Sequence, residues 1–250
     1  MEVKIFKDYQ SLSAQVAKEI IDCVRKKPAA ILCLAAGDTP RLPYQLTTER
    51  AAVEKLDFSQ CHFIGLDEWV GIPPENEGSC QFFLRKYLFD PLSISPEQIH
   101  LFNAMSENLE RDCKAMDSII NGKGGIDLMI VGVGMNGHIG FNEPGVSFDK
   151  NAHVIDLDNS TQAVGQKYFK NPVAISQGIT LGFNQLLQSK NLILIANGLK
   201  KSTIIQKALE GEVSTQVPAS IVQVHPHSSV MIDEEAASQL KKSLQYSPGQ

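Results

Sequence analysis

Short apolar runs alternate with amphipathic stretches along this chain, and each run stops at a glycine or a carboxylate. That alternation constrains the fold more than any other feature. Ala29 to Ala35 is nearly all apolar, as in a strand buried on both faces, and Gly37-Asp38-Thr39-Pro40 breaks it. Cys61 to Leu66 ends at Asp67-Glu68, Asp127 to Val133 ends in Gly134-Met135-Asn136-Gly137-His138, and Asn191 to Ala196 ends at Asn197-Gly198. Ser220 to Val224 and Ser229 to Ile232 read as two more strands, and a first strand lies near Val3. Tyr9 to Lys26 places Leu12, Val16, Ile20, Cys23 and Val24 on one helical stripe before Pro28 stops it. Further helices are predicted from about Arg41 with Pro40 in the first turn, over Ser106 to Asn121, over Lys201 to Glu210, and through Asp233 after the last strand. The tail Ser243 to Gln250 is expected to fray.

Strands alternating with helices pair in parallel through right-handed crossovers. At 250 residues the pattern predicts a single α/β domain built on one sheet. Ligands of such sheets bind outside the carboxyl ends of the strands. The polar clusters at Gly37-Asp38-Thr39, Asp67-Glu68, Asn136 to Glu143 and Asn197 to Lys201 all fall at those ends, which predicts one shared site.

Composition narrows the ligand. The formal net charge is −5, and Lys26-Lys27 and Lys200-Lys201 are too short to be basic tracts. A nucleic-acid surface needs clustered positive charge, so none is expected. No run approaches membrane-spanning length and Met1 to Asp8 carries no apolar signal segment, so no membrane partner is expected. The five cysteines are odd in number and without metal-ligand spacing, which points to a reducing cytoplasm and to no bound metal.

Gly132-Val133-Gly134-Met135-Asn136-Gly137 matches G-x-G-x-x-G, but a dinucleotide site needs the third glycine to open a helix. Here His138 to Gly145 adds two more glycines and Pro144, so the loop is read instead as letting backbone amides approach a ligand. His138 and Glu143 lie in it. They are either a structural histidine and a solvated turn carboxylate, or a titratable pair in which the carboxylate orients the imidazole. Asp67 is either a helix cap or surface carboxylate, a role Glu68 could share, or a base whose pKa a cleft lifts toward working pH. The turn at Gly37 before a helix is either plain or a phosphate cradle, and Lys201 is either solvated or a source of positive charge there. A serine nucleophile elbow, a Cys-His pattern and zinc-type histidine spacing are all missing from the sequence. Carboxylate plus histidine suits proton shuttling beside a carbonyl.

Taken in order, four stretches resemble the glucosamine-6-phosphate deaminase/isomerase family: Leu34 to Pro40, Leu66 to Gly71, Gly132 to Gly145, and Gly198 to Lys201. The run Asn136-Gly137-His138-Ile139-Gly140-Phe141-Asn142-Glu143-Pro144-Gly145 is the most specific, and order and spacing agree from Val3 to about Ala237. The resemblance implies a Rossmann-like parallel sheet flanked by helices, with a mobile lid over about 145–185. It makes Asp67 the base that moves a proton between C2 and C1 of the open-chain sugar. It makes His138 the group that assists ring opening, with Glu143 and Asn136 orienting it. It gives the phosphate to the Ala36-Gly37-Asp38-Thr39 turn, Lys167 and Lys201. The implied products are a ketose 6-phosphate and ammonia, with no cofactor, because the C2–H of an open-chain 2-amino aldose is already acidic.

The chain departs from the family pattern at Asp38, where Gly or Ser is usual, at Ala36 (Thr or Ser), at Lys167 (often Arg) and at Asn136 (Asp in some members). Trp69 and Gly78-Ser79-Cys80 look more like the galactosamine-6-phosphate branch, and the basic effector-binding residues of allosteric members are missing around Val146 to Ile155. The expected partner is a small sugar phosphate, and assembly into a homo-oligomer is left open. Two rivals remain. A 6-phosphogluconolactonase-like hydrolase shares the superfold, though Phe141-Asn142-Glu143-Pro144 argues against it. A non-catalytic sugar-phosphate sensor would carry a DNA-binding helix-turn-helix, for which a first strand near Val3 leaves no room.

Overall fold

The computed structural model describes residues 1–241 and the backbone of Ser247 and Pro248, so most of the tail from Ser243 lies outside the described residues. In chain order the first elements are β1 (Glu2–Phe6), α1 (Tyr9–Lys26), β2 (Ile31–Leu34), α2 (Asp38–Glu54), β3 (His62–Gly65), β4 (Asp67–Trp69), α3 (Cys80–Leu84) and β5 (Ile99–His100). There follow α4 (Leu109–Gly122), β6 (Leu128–Val131), β7 (His153–Asp156), α5 (Asn159–Gly165), β8 (Gln177–Thr180), α6 (Phe183–Gln188), β9 (Leu192–Ala196), α7 (Ser202–Glu210), β10 (Ser228–Asp233) and β11 (Ser247–Pro248).

The main sheet runs β1-β10-β9-β6-β2-β3-β5, every neighbouring pair parallel, with the short β11 outside β1. Its interior strands are apolar because both faces are covered. Cys33, Ile64, Met129 and Leu194 face one core cluster; Leu32, Phe63, Ile130 and Ile193 face the other. α1 closes the second cluster with Leu12, Val16, Ile20 and Val24, and Asp8 caps it by accepting from the Ser11 N–H at 2.8 Å. Cys23, on the edge of the expected stripe, is only partly buried.

Leu34 is in register with Gly65 on one side and Ile130 on the other, and Val131 with Leu194, so the carboxyl ends of β3, β2, β6 and β9 open along one edge. The chain leaves β2 toward β3 and returns on its other side at β6. That reversal is a topological switch point, where a crevice forms. A second, antiparallel sheet, β4-β8-β7, stands over this edge. It begins at Asp67, directly beyond the end of β3, so one apolar run ends in one sheet and its first polar residue opens another.

Two sequence expectations fail. Ser220 to Val224 is not a strand but part of a 3-10 helix over Pro218–Gln223. Pro218 offers no N–H to a ladder and starts a tight turn, and a short apolar run does not by itself separate strand from buried helix. The helix expected through Asp233 is a series of turns ending near Leu240. The Asp233 carboxylate accepts from the N–H groups of Gly198 and Ala236, which ties that segment to the β9 end. Strands β4, β5, β7 and β8 were not anticipated, being short and without strong alternation. Among the described residues no helix is long and apolar enough to cross a membrane.

Candidate active site

The four decorated strand ends converge as expected. Beyond β2, Gly37 has φ 134° and is the N-cap of α2, a backbone conformation that glycine adopts without strain. The free N–H groups of the α2 first turn therefore point over the crevice, where an anion is favoured. Tyr9 fixes this turn, its hydroxyl donating to the Thr39 carbonyl at 2.8 Å, and Thr39 Oγ1 donates to Asn197 Oδ1 at 2.7 Å, joining the β2 and β9 ends. Ala36 packs with Tyr168 against the small cluster around Trp69, Phe141 and Phe169.

Asp38 does not point at the N–H groups. It pairs with Arg41 at 2.9 Å and with Lys167 at 2.7 Å, and its side chain stays about half exposed. Lys201 is held from the other side by its bond to the Val133 carbonyl at 2.6 Å. Burial lowers the Lys201 pKa to about 8, with repulsion from Lys167 adding and Asp38 partly offsetting. The two lysines thus lie near the α2 N-terminus, Lys201 within electrostatic reach of Lys167 and Asp38.

Asp67 opens β4, paired with Thr180 of β8. Burial raises its carboxyl to about 7, the neighbouring Glu68 charge adds to this, and a hydrogen bond with the Cys80 thiol works against it. Glu68, 1% exposed, points the other way along the strand. Its carboxylate accepts from the N–H groups of Trp69, Cys80 and Gln81 and from the Ser79 hydroxyl, at 2.7 to 3.0 Å. It is therefore neither a cap of its own helix nor a surface group: it caps the distant α3 and locks that element beside Asp67.

In the loop after β6 the His138 ring lies over Gly134, where a Cβ would come within 2.3 Å of Nε2, so only glycine fits there. Nδ1 is 3.4 Å from Glu143 Oε2 and 3.1 Å from Thr161 Oγ1. Asn136 donates to the same Glu143 oxygen at 2.7 Å and accepts from the His138 N–H at 3.2 Å. Burial alone would raise the Glu143 pKa, but hydrogen bonds with His138, Thr161 and Asn136 bring it below its ordinary value. The loop packs onto the Asp67 strand through Thr180, whose Oγ1 accepts from the Phe141 N–H at 3.2 Å. A separate cavity of about 430 Å³ at the opposite edge of the sheet includes Lys27, Asp127 and Lys190 in its lining, and none of the candidate site residues.

The glucosamine-6-phosphate isomerases/6-phosphogluconolactonase family profile matches residues 7–232. This chain belongs to that family. A glucosamine-6-phosphate deaminase of Clostridium botulinum is 37% identical over 241 residues, covering 96% of this chain and 99% of the relative. One from Thermoanaerobacter pseudethanolicus is 34% identical, covering 95% and 94%. The solved structure of a monomeric glucosamine-6-phosphate deaminase superposes with a TM-score of 0.92 at 33% identity, over 95% of this chain and 99% of that one. A 6-phosphogluconolactonase of Trypanosoma brucei, at 18% identity and a TM-score of 0.75, over 96% and 98%, shares the fold.

Two contacts of the candidate groups have no signal in the sequence: Thr161 against His138, and Cys80 against Asp67. Each reaches its partner from an element distant in sequence, and Gly78-Ser79-Cys80 stands out in the sequence only for its likeness to the galactosamine-6-phosphate branch. The pairing of Glu68 with its partners at Ser79 to Gln81 is equally hidden. The sequence does hold a hint of them: Ser79 is a typical N-cap residue, and it accepts from Gln81 and Phe82 ahead of α3. Among the described residues no group of three or more His, Cys, Asp or Glu is placed to hold a metal.

Proposed function

We propose that this chain isomerises and deaminates an amino-hexose 6-phosphate, of the gluco or galacto configuration, to a ketohexose 6-phosphate and ammonia. One observation carries the reading. A carboxylate raised to about 7 opens β4 beside the loop that holds an oriented histidine, and Lys167 and Lys201 lie near the α2 N-terminus. The relatives named above support it. The phosphate takes the α2 N–H groups over Ala36 to Thr39, with Lys167 and Lys201. His138 Nε2 takes the C1 hydroxyl proton and passes it to the ring oxygen as the ring opens, oriented by Glu143 and Asn136. Asp67 removes the C2 proton as O1 gains one, giving an enolamine, and delivers it to C1 as the amino nitrogen loses one, leaving an imine at C2. Water adds there, and ammonia leaves. The segment from β7 to β8, inside the span 145–185, carries Lys167 and acts as the lid. A reducing cytoplasm suits the five free cysteines.

The test is ammonia release from glucosamine 6-phosphate and galactosamine 6-phosphate, measured side by side. Turnover of either supports the reading, and the faster one names the epimer. No ammonia from either, with hydrolysis of 6-phosphogluconolactone, would replace it with the lactonase reading.

Asp38 gives a sharper expectation. A carboxylate facing the phosphate would weaken binding more than a hundredfold, at about 3 kcal/mol for charges about 5 Å apart in an effective dielectric near 20. Instead its pairs with Arg41 and Lys167 are exposed, and such pairs are worth about 0.2–1 kcal/mol. Asp38→Gly is therefore expected to lower KM for the sugar phosphate by no more than about fivefold. Steady-state kinetics check this, and a gain of a hundredfold would place the carboxylate in the phosphate site.

A further inference from the structure

We infer that Thr161 is a positioning residue that fixes the tautomer of His138, presenting the Nε2 lone pair or proton, and not Nδ1, to the substrate. The catalytic consequence rests on the ring-opening role proposed above; the tautomer itself does not. Two oxygens meet Nδ1: Glu143 Oε2 at 3.4 Å from the same loop, and Thr161 Oγ1 at 3.1 Å from α5. An ionised carboxylate only accepts. A threonine hydroxyl has one proton, and Thr161 helps hold the Glu143 carboxyl below its ordinary value, as a hydroxyl that gives its proton to the carboxylate does. The oxygen then has only lone pairs left for Nδ1, so both neighbours of that nitrogen are acceptors and the proton must sit on Nδ1. The opposite tautomer would set an imidazole lone pair against a carboxylate.

Glu143 at 3.4 Å is too long to fix the ring alone, whereas the threonine contact is of hydrogen-bond length. Thr161 is 5% exposed, so water does not replace it. It also comes from outside the loop. The α5 start is tied to the same carboxylate through the Asp158 N–H, 3.3 Å from Glu143 Oε1, and the turn after α5 carries Lys167 to Asp38. The segment that carries Lys167 is thus the one that orders the histidine.

The test is long-range ¹H–¹⁵N correlation on the full chain, with His138 assigned by comparison with His138→Gln. Wild type is expected to show Nδ1–H alone. Thr161→Val, which keeps the shape and removes the hydroxyl, should populate both tautomers and lower kcat for the cyclic amino-sugar phosphate about tenfold. Thr161→Ser should restore both readings. An Nε2–H tautomer in wild type overturns the inference without any variant, and so does an unchanged spectrum in Thr161→Val. A changed tautomer with unchanged ammonia release leaves Thr161 as the positioning residue and removes His138 from ring opening.

Discussion

Asp67→Asn is expected to lower turnover by about 10²- to 10⁴-fold, the usual loss when a general base is removed, while sugar-phosphate binding survives. The binding groups, α2, Lys167 and Lys201, lie on other elements, so KM should change little. In wild type the base works only when ionised. Its carboxyl stands at about 7, so kcat/KM should fall as pH drops below that value. The groups facing it are Glu68 and Cys80, with Cys33 and Tyr44 also in electrostatic reach.

The same shift predicts an opposite effect on stability. The folded-state pKa is raised from 3.8 to about 7, so the unfolded chain ionises first. Wild type therefore loses stability as pH rises from about 4 through about 7, and asparagine removes that loss. About three pH units at about 1.4 kcal/mol each set a ceiling of about 4 kcal/mol. Asp67→Asn should match wild type near pH 4 and exceed it above pH 7. Urea titrations at the two pH values, beside single-turnover kinetics, test both halves. A variant that keeps more than half of wild-type turnover would remove Asp67 from the mechanism.

Glu68→Ala should be the most destabilising change at the site, at about 3–5 kcal/mol. The N–H groups of Trp69 and Cys80 and the Ser79 hydroxyl would lose their acceptor at once, and the Gln81 N–H would keep only its bond to Ser79 Oγ. Glu68→Gln should rescue little. Oε1 accepts from Trp69 and Cys80 and Oε2 from Ser79 and Gln81, so an amide NH₂ in either position faces two donors. Denaturant midpoints check the stability, and kcat should fall with it because α3 would no longer hold Cys80 against Asp67. A midpoint within error of wild type would show that the carboxylate is not the anchor described.

The β2, β3, β6 and β9 runs were legible because both faces of a parallel sheet are covered, and so a continuous apolar run is forced. Their polar ends, Gly37, Asp67, Gly134 and Gly198, were legible for the matching reason: a chain leaving a buried sheet must turn at once to solvent. Parallel pairing then put those ends on one edge, so the sequence alone pointed to that edge for a site. The strands of the second sheet were not legible. β4 and β8 are three and four residues long, and what makes them strands is each other. Ser220 to Val224 misled for a related reason: an apolar run says that a segment is buried, not which backbone buries it.

What the sequence determined by itself is therefore the class of fold, the edge where the polar strand ends gather, and the residue types available there. Local periodicity and chain-breaking residues are enough for that, because they act over a few neighbours. Only the tertiary structure decided what each group is worth. Asp67 and Glu68 are adjacent carboxylates, and burial raises both, yet Asp67, with few donors, is lifted to about 7, while Glu68 is held in place by the Trp69 N–H and by three donors eleven to thirteen residues away at the start of α3, which work against the shift. Asp38, which looked like an obstacle to phosphate, is turned aside by Arg41 and by Lys167, 129 residues further on. Hydrogen bonds and Coulomb attraction depend on distance through space, and that distance is fixed only when the chain has closed on itself.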